Sequence, residues 1–552
     1  MSNYITRRSF LGTAAAGSAA LLTGGLASSF KAAASAASTF PWSEATIPQL
    51  QAAMASGELT SRELTMGYRD RIATLNPLLH AVIEVNPNAV SIAVRLDNER
   101  RRGLVRGPLH GIPVLVKDNI AVKDTMQTTA GSIALVNSEV PADAALVKQL
   151  RDAGAVVLGK ANLGEWANWR AFNPVNFWGW SARGGATHNP YLLSYTTSGS
   201  SSGSAVGTAA NLCAAAVGTE TDGSVTSPSN ANLVVGLKPT LGLISQSGTI
   251  PISHRQDTAG PIGRTVTDVA ILLGVLESPF GPVLGHSLPS DYTRFLERGA
   301  LQGTRIGVDR RFFDQFDLYG FPGDSDTVPL ARQALDAMAG LGATLVDTDT
   351  GDYLAYSGDE FRALGFEFKV QIAEYLADLT HTNMRTLADL MAFNIAHCPA
   401  EFVFYGQELS EMSEATSGNL NDPDYLAART NAFQSARTGI DGAIARDNLD
   451  AIVAPGSTNT TAAAVAGYPN IGLPVGVTSG GKPVGILMYS TFLHEPQLLA
   501  FAYDLEQELQ ARVQPQFLGT VSDPPNPDLC ESLPKKPHVF TGKDHLPHGR
   551  IF

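Results

Sequence analysis

Apolar positions along this chain follow two patterns, one with helical spacing and one of short uninterrupted runs. Within 61–75, for example, Leu64, Tyr68, Ile72 and Leu75 share one face of a helix. Helices are predicted in this way at 61–75, 87–102, 142–153, 204–217, 265–276, 328–340, 359–395, 423–447 and 496–511. Short apolar runs predict buried strands at 111–116, 156–158, 233–237, 306–308, 344–346 and 451–455.

Helices that alternate with short buried strands indicate an α/β fold. We therefore expect a single large α/β/α domain over 37–513, with a central mixed β-sheet flanked by helices. The long helical segments 359–395 and 423–447 carry few polar groups suited to chemistry. We expect these two segments to cover or line a site rather than to supply its reactive groups.

Both ends of the chain differ from this pattern. The first 36 residues carry the pair Arg7–Arg8, a mildly apolar stretch and a small-residue site that ends at Ala36. This order predicts a twin-arginine-type signal peptide, 1–36, cleaved near Ala36, and hence an exported protein that is periplasmic or secreted. No later segment approaches about 18 uninterrupted apolar residues, so we expect no stable membrane insertion. Residues 514–552 are Pro-rich, which predicts an extended C-terminal tail on the surface.

Composition narrows the range of partners. The 552 residues are 44% hydrophobic and 16% charged, as in globular proteins, and the net charge of −13 argues against a nucleic acid partner. The three cysteines, Cys213, Cys398 and Cys530, have no metal-ligand spacing. In an exported protein a Cys398–Cys530 disulfide is one option, and Cys213 among alanines is expected in the core. The sequence leaves the oligomeric state open.

The stretch 198–229 points most directly to chemistry. It contains two Ser- and Gly-rich turns, one around Ser200 and one around Ser224, and a buried-strand pattern at 233–237 follows it. A flexible linker of this composition would not be continuous with a core. Gly223 lets the backbone bend sharply before Ser224 and expose successive N–H groups. Hydroxyls and bare N–H groups inside a core are what a serine hydrolase needs to stabilise an oxyanion.

A serine nucleophile needs a base, and lysine is a candidate. Three strand-like segments end in lysine, at Lys117, Lys160 and Lys238. Most lysines at such positions extend to solvent, but a desolvated lysine has a lowered pKa and can act as a base. The hydrophobic pattern alone does not choose among the three.

In these motifs the chain resembles the amidase signature family. Lys117 in GIPVLVKDNI matches the base of that family, Ser200 in SGSSSGS its bridging serine, and Ser224 in GTETDGSV its nucleophile. Further matches are NPY at 189–191, GLKPTLGLIS at 236–245, QDTAGPIGRTVTD at 256–268, APG at 454–456 and AGYPNIGLPVG at 466–476. The resemblance covers roughly 40–512, so the predicted domain at 37–513 is an amidase signature domain.

The resemblance implies an amide hydrolase with Lys–cis-Ser–Ser chemistry and a cis peptide bond before Ser200. Neutral Lys117 accepts a proton from Ser200, which relays one from Ser224, the nucleophile that forms an acyl-enzyme. The implied oxyanion hole consists of the backbone N–H groups of Thr221, Asp222, Gly223 and Ser224.

Two positions depart from the common pattern of the family. Asp222 stands where members often have a first glycine, and Thr226 stands where many have an arginine. An arginine there would suit a carboxylate-bearing substrate, so its absence argues against small amide acids. The ETDGS version is most similar to the peptide amidase branch, which removes the C-terminal amide from peptides. The expected substrate is a peptide or small-molecule amide, and the alternative is a broad-specificity aliphatic or aryl acylamidase.

Two other hypotheses use the same sequence differently. The GSSSG at 199–203 also matches a nucleophile elbow with Ser201, which needs a preceding strand and a later histidine. The candidate histidines are His254, His381, His397 and His494. An exported ligand-binding protein is the alternative from another class. Without a Walker, GxGxxG or HExxH motif we expect no cofactor and no metal, and we attribute Asp544, His545 and His548 to chance.

Overall fold

The computed structural model describes residues 40–172, 179–314, 326–352, 354–521 and 530. The predicted signal peptide lies outside these residues. The strands are β1 (Val82–Val85), β2 (Pro113–Lys117), β3 (Val156–Ala161), β4 (Trp180–Ser181), β5 (Gly185–Ala186), β6 (Ala215–Glu220), β7 (Val235–Lys238), β8 (Thr258–Gly263), β9 (Arg305–Val308), β10 (Thr344–Asp347), β11 (Ala451–Pro455), β12 (Asn470–Val477) and β13 (Pro483–Tyr489).

Helices stand between these strands for most of the chain. They are α1 (Ile47–Ser56), α2 (Ser61–Leu79), α3 (Ala89–Arg101), α4 (Ala145–Asp152), α5 (Ser202–Ala209), α6 (Thr226–Ala231), α7 (Val266–Leu276), α8 (Arg310–Asp314), α9 (Val328–Gly340), α10 (Leu354–Ala377), α11 (Leu387–Ala396), α12 (Cys398–Glu401), α13 (Glu408–Glu414), α14 (Pro423–Asp447), α15 (Thr460–Ala466) and α16 (Glu495–Leu509). None of the described helices is both long and apolar enough to cross a membrane.

Eleven strands form one mixed sheet, in the order β1-β3-β2-β6-β8-β7-β12-β13-β11-β9-β10. The pairs β2–β3 and β2–β6 are parallel, whereas β6–β8, β7–β8 and β7–β12 are antiparallel. Every residue of β2, β3, β6 and β7 is buried. A sheet that is buried on both faces needs helices on each side, so the expected mixed α/β/α architecture is confirmed.

Local sequence signals place several helices within a few residues of their predicted bounds. Helix α2 begins after Thr60, whose side chain and that of Glu63 form a capping box. Its buried residues include Leu64, Tyr68, Ile72 and Leu75. Helix α7 begins after its N-cap Thr265, whose hydroxyl accepts a hydrogen bond from the backbone N–H of Asp268.

The predicted helix 204–217 is wrong in its second half. The helix ends at Ala209, and residues from Ala215 form β6 in the centre of the sheet. Asn211 takes the left-handed conformation, with φ of 56°, which stops the helix. A run of alanines gives no periodicity that would separate a buried helix from a buried strand. The segment from Ala215 forms a strand because it is buried beside β2.

Three central strands were not predicted from the sequence. β8, β12 and β13 each contain glycine and proline, which have low strand propensity. The predicted helix 359–395 is two helices, α10 and α11, because Thr386 and Asp389 form a capping box that begins α11.

The C-terminal segment packs against the domain as far as it is described. The backbone of Phe517 and Leu518 donates hydrogen bonds to the carbonyls of Pro190 and Tyr191, at 2.9 and 3.0 Å. The extended tail over 514–552 stays a prediction, since 522–529 and 531–552 lie outside the described residues. Cys530 forms a disulfide with Cys398, and Cys213 is free and buried.

Helix α5 packs so closely on the strands beneath it that Gly203 has no room for a methyl group. A Cβ at this position would overlap the Ala81 carbonyl oxygen and lie 2.5 Å from the Asn162 backbone nitrogen. We expect Gly203→Ala to lower the unfolding free energy by about 1–3 kcal/mol, although alanine is the better helix former.

Gly442 provides the matched control for this prediction. It lies in helix α14, and a Cβ there would meet no atom within 4 Å. Gly442→Ala should leave stability unchanged or raise it by about 1 kcal/mol. Thermal or denaturant unfolding measures the stability of both variants. Equal stability of the two variants would contradict the packing described for Gly203.

Candidate active site

Lys117 is the last residue of β2, and its side chain is completely buried. Its Nζ lies 2.7 Å from Ser200 Oγ, 3.0 Å from the Thr219 carbonyl oxygen and 2.9 Å from Thr219 Oγ1. Thr219 belongs to β6, the parallel neighbour of β2. The strand pairing therefore sets the lysine beside a serine that is 83 residues away in the sequence.

The other two strand-end lysines are also buried, but they contact no serine in the described residues. Lys160 donates to Thr128 Oγ1 at 3.0 Å and lies 3.7 Å from a carboxylate oxygen of Asp118. Lys238 donates to the carbonyl of Pro239 at 3.0 Å. The structure thus distinguishes Lys117 from Lys160 and Lys238, whereas the hydrophobic pattern did not.

Ser200 lies in a turn that leads into helix α5. The peptide bond between Gly199 and Ser200 is cis, as the resemblance implies. The backbone N–H of Ser201 donates to the carbonyl oxygen of Ser224 at 3.1 Å. This bond joins the Ser200 turn directly to the Ser224 turn, so the two serine-rich motifs form one structural unit.

The Ser224 turn, residues 221–224, follows β6 without a gap. Gly223 has φ of +70°, and a Cβ there would lie 2.8 Å from Ser227 Oγ, so glycine suits this position best. Glu220 Oε2 accepts the backbone N–H groups of Val225 and Thr226 at 2.8 and 3.0 Å. A buried carboxylate thus anchors the chain immediately after Ser224.

Side chains from other elements hold the Ser224 turn. Thr461 donates to Asp222 Oδ2 at 2.6 Å, and Thr221 donates to Asp257 Oδ1 at 2.6 Å. Within the described residues, the backbone N–H groups of 221–224 donate to no other group of the chain. These four donors are therefore available to a group in the adjoining cavity.

A cavity of about 390 Å³ adjoins Ser224. Ser224 is only 4% exposed, and it shares the wall with Thr221 and Asp222. The remaining lining is mostly apolar, namely Ala167, Asn168, Trp169, Ala171, Ile252, Leu364 and Leu409. A small, largely apolar space beside a serine is typical of a small-molecule site.

Part of this wall could not be found from sequence patterns. Trp166, Ala167 and Asn168 are three consecutive non-glycine residues with positive φ, at 54°, 55° and 71°. No sequence signal marks such a left-handed turn. Leu364 comes from α10, so the prediction that 359–395 lines the site is confirmed for this residue. Helix α14 packs behind α10 rather than on the cavity.

A buried arginine connects this wall to the rest of the helical region. Arg170 is almost completely buried and pairs with Glu165 and, at 2.8 Å, with Glu401. The rings of Phe402 and Tyr405 lie 5.2 and 5.8 Å from its guanidinium carbon. Residues beside the cavity are thus fixed to helix α12, which also carries the disulfide cysteine Cys398.

Burial controls the protonation of the site. It lowers the pKa of Lys117 to about 7, although the carboxylates of Asp257 and Glu220 act in the opposite direction. Burial also raises the pKa of Asp222 and that of Asp257 to about 7. A lysine with such a pKa is substantially uncharged at neutral pH, as the sequence led us to expect of a base.

The structure does not support the nucleophile elbow hypothesis for Ser201. Ser201 is completely buried, and its hydroxyl donates to the Thr219 carbonyl at 3.1 Å. No described histidine is hydrogen-bonded to Ser201, including His254, His381, His397 and His494. In the described segment 179–314 no strand lies between 187 and 201.

The fold and this site define an enzyme that hydrolyses amide bonds, as comparison with known proteins shows. The family model named Amidase matches residues 63–499. A probable amidase of Arabidopsis thaliana is 41% identical over 492 aligned residues, and the match covers 87% of this chain and 93% of that protein. The chain belongs to the amidase signature family.

Solved structures give the same result. The native peptide amidase of Stenotrophomonas maltophilia is 45% identical, with a TM-score of 0.80, and the match covers 87% of this chain and 99% of that chain. A peptide amidase in complex with the competitive inhibitor chymostatin is equally similar, at 45% identity and a TM-score of 0.80, with 87% and 100% of the two chains covered.

The depressed pKa of Lys117 predicts a pH-dependent stability difference. Between about pH 7 and 10 the unfolded chain holds a proton on this amine that the folded chain has released. Raising the pH should therefore stabilise the wild-type fold relative to a Lys117→Met variant, by about 1.4 kcal/mol per pH unit. Denaturant unfolding of both proteins from pH 7 to pH 9.5 measures this difference. A difference that stays constant over the whole range would contradict the assignment.

Proposed function

We propose that Ser224 is the nucleophile, Ser200 the proton relay and Lys117 the base of this amidase. The observation that carries the proposal is the 2.7 Å contact between Ser200 and a fully buried lysine whose pKa is about 7. A neutral amine has a lone pair that accepts a proton, which the ammonium form lacks.

The reaction then follows from the order of the three groups. Lys117 takes the proton of Ser200 as Ser200 takes the proton of Ser224, and Ser224 Oγ forms a bond to the amide carbon. The C–N bond breaks when the relay returns the proton to the leaving nitrogen, which departs as ammonia or an amine. Water attacks the acyl-enzyme through the same relay, so that the acid is released and the Ser224 hydroxyl is restored.

The developing oxyanion requires hydrogen-bond donors in the wall of the cavity. Thr221, Asp222 and Ser224 line the cavity, and the backbone N–H groups of these three residues and of Gly223 have no acceptor within the described residues. We assign them to the oxyanion hole. Loss of one such donor costs about 3–4 kcal/mol in other enzymes. The side chains of Asp257 and Thr461 keep the turn rigid, so the donors need no reorganisation during the reaction.

For the substrate we propose peptides with a C-terminal amide. The similarity to peptide amidase supports this choice, as does the inhibitor complex of that enzyme. The apolar side chains of Trp169, Ile252 and Leu364 suit an apolar C-terminal residue. The lining of the cavity includes no basic residue that would bind a free carboxylate, in agreement with Thr226 in place of an arginine.

Export by the twin-arginine route remains part of the proposal. The Arg7–Arg8 pair and the small-residue site at Ala36 support it. The Cys398–Cys530 disulfide is also consistent with an oxidising compartment outside the cytoplasm.

Variants at position 224 test the proposed nucleophile. Ser224→Ala should abolish both amide hydrolysis and covalent labelling by a serine-directed fluorophosphonate, with the fold intact by circular dichroism. Lys117→Ala should reduce the rate of amide hydrolysis nearly as much as Ser224→Ala does. The control is Ser204→Ala. Ser204 is a buried serine in helix α5, which follows the Ser200 turn, and it does not line the cavity. Labelling that persists in Ser224→Ala would exclude Ser224, and labelling of Ser201 would restore the elbow hypothesis.

The substrate proposal is tested by comparing amides as substrates of the mature protein. We expect kcat/KM for hydrolysis to be highest for blocked dipeptide amides, above anilides and short aliphatic amides, when it is measured as released ammonia or, for the anilides, as released aniline. Among the dipeptide amides, those with a C-terminal phenylalanine amide should have a kcat/KM about 10-fold or more above those with a C-terminal aspartic acid amide. The reason is that a charged side chain is poorly solvated in an apolar cavity. If simple aliphatic amides are better substrates than every peptide amide, the broad acylamidase alternative is correct.

A further inference from the structure

The hydrogen bonds of Lys117 can be counted. A neutral amine has two N–H donors and one lone pair, whereas the ammonium form has three donors and no acceptor. Its Nζ has three oxygen neighbours, namely Ser200 Oγ and the carbonyl and hydroxyl oxygens of Thr219. The carbonyl oxygen only accepts, so it must take one of the two N–H bonds.

The remaining N–H bond and the lone pair can be distributed in two ways. If the second N–H bond points to Thr219 Oγ1, the lone pair faces Ser200 and can accept its proton. If the Thr219 hydroxyl instead donates to the lone pair, the second N–H bond points to Ser200. The amine then cannot act as a base toward that serine. The orientation of the Thr219 hydroxyl therefore decides whether the neutral lysine is competent.

Asn119 holds the Thr219 hydroxyl from its other side. Asn119 Nδ2 donates to Thr219 Oγ1 at 3.0 Å, and both residues are buried. A hydroxyl that accepts from both Asn119 and Lys117 uses its two lone pairs and directs its own hydrogen elsewhere.

The Thr219 side chain borders a cavity into which that hydrogen can point. This second cavity, of about 270 Å³, is lined by Asn119, Thr219, Gln246 and Thr249, among others. The Oδ1 atom of Asn119 is buried and has no hydrogen-bond partner within the described residues. The lining combines apolar groups with these polar ones, and buried water commonly satisfies polar groups that have no partner in the protein. The Thr219 hydrogen can thus be directed away from the lysine.

We propose that Thr219, held by Asn119, is a positioning residue that engages both N–H bonds of neutral Lys117 and so directs the lone pair of the amine toward Ser200. The inference rests on the proposed roles of Lys117 and Ser200. Neither Thr219 nor Asn119 touches the substrate in this proposal, and both act through the lysine.

The test uses the pH profile, which a merely structural role of Thr219 would not change. The oxygen of Thr219 also accepts from the ammonium form, so its removal disfavours the charged lysine. The facing carboxylates of Asp257 and Glu220 remain in place. For Thr219→Val we expect kcat to fall about 10- to 100-fold, KM to change less than about twofold, and the acid limb of kcat/KM to move to lower pH.

Two companion variants keep this test decisive. Thr219→Ser retains the hydroxyl and should restore wild-type kcat and pH profile. Thr65→Val removes a buried hydroxyl of helix α2 that has no hydrogen-bond partner within the described residues, and it should leave both kcat and the pH profile unchanged. Unfolding midpoints establish that each variant is folded. A Thr219→Val enzyme with wild-type kcat, or with an unshifted acid limb and no rescue by serine, would overturn the inference.

The contribution of Asn119 is tested by a double-mutant cycle. If Asn119 acts through Thr219, Asn119→Ala should lower kcat in the wild-type background and have little further effect in Thr219→Val. Losses that multiply would show that Asn119 acts independently, which would overturn its part in the inference. Failure of the proposed function is distinct from these outcomes, since it would appear as activity in Ser224→Ala.

Discussion

The constraint on which the site depends is the complete burial of one amine. Lys117 has no solvent around it, and its three oxygen neighbours are provided by the protein. An ammonium group in this place lacks the hydration that stabilises it in water, so a large fraction of the amine is neutral near pH 7. The position of Lys117 at the end of an interior strand, in a sheet that is covered on both faces, is thus a chemical requirement as well as a structural one.

The same burial explains why the site is assembled from parallel neighbours in the sheet. β2 supplies the amine, β6 supplies Thr219, and the turn after β6 supplies Ser224. The Ser200 turn is joined to the Ser224 turn by the bond from the Ser201 N–H to the Ser224 carbonyl. Each turn is rich in glycine and serine, whose small side chains pack little. The bond between the turns, and the side chains of Asp257 and Thr461 that hold the Ser224 turn, provide the rigidity that larger side chains would otherwise give.

Sequence reasoning predicted those parts of the molecule that depend on local signals. The buried face of helix α2 follows from residues within a few turns, and Leu64, Tyr68, Ile72 and Leu75 on it were predicted correctly. The bounds of helix α7 were predicted to within one residue. The hydrophobic pattern did not show which of Lys117, Lys160 and Lys238 lies in the site, because all three end a similar strand. Contact with Ser200 distinguishes Lys117 from the other two. The wall at Trp166–Asn168 and the strand β6 were missed for the same reason. A left-handed turn and an alanine-rich strand are both set by distant neighbours rather than by their own residues.

The disulfide between Cys398 and Cys530 makes a large part of this chain a closed covalent ring. The two cysteines are 132 positions apart, and the ring contains β11, β12 and β13, three adjacent members of the central sheet. A single break in any peptide bond between them would leave the two pieces covalently joined, with the sheet still held in register by its neighbours. This arrangement makes the integrity of the fold less dependent on the integrity of the backbone.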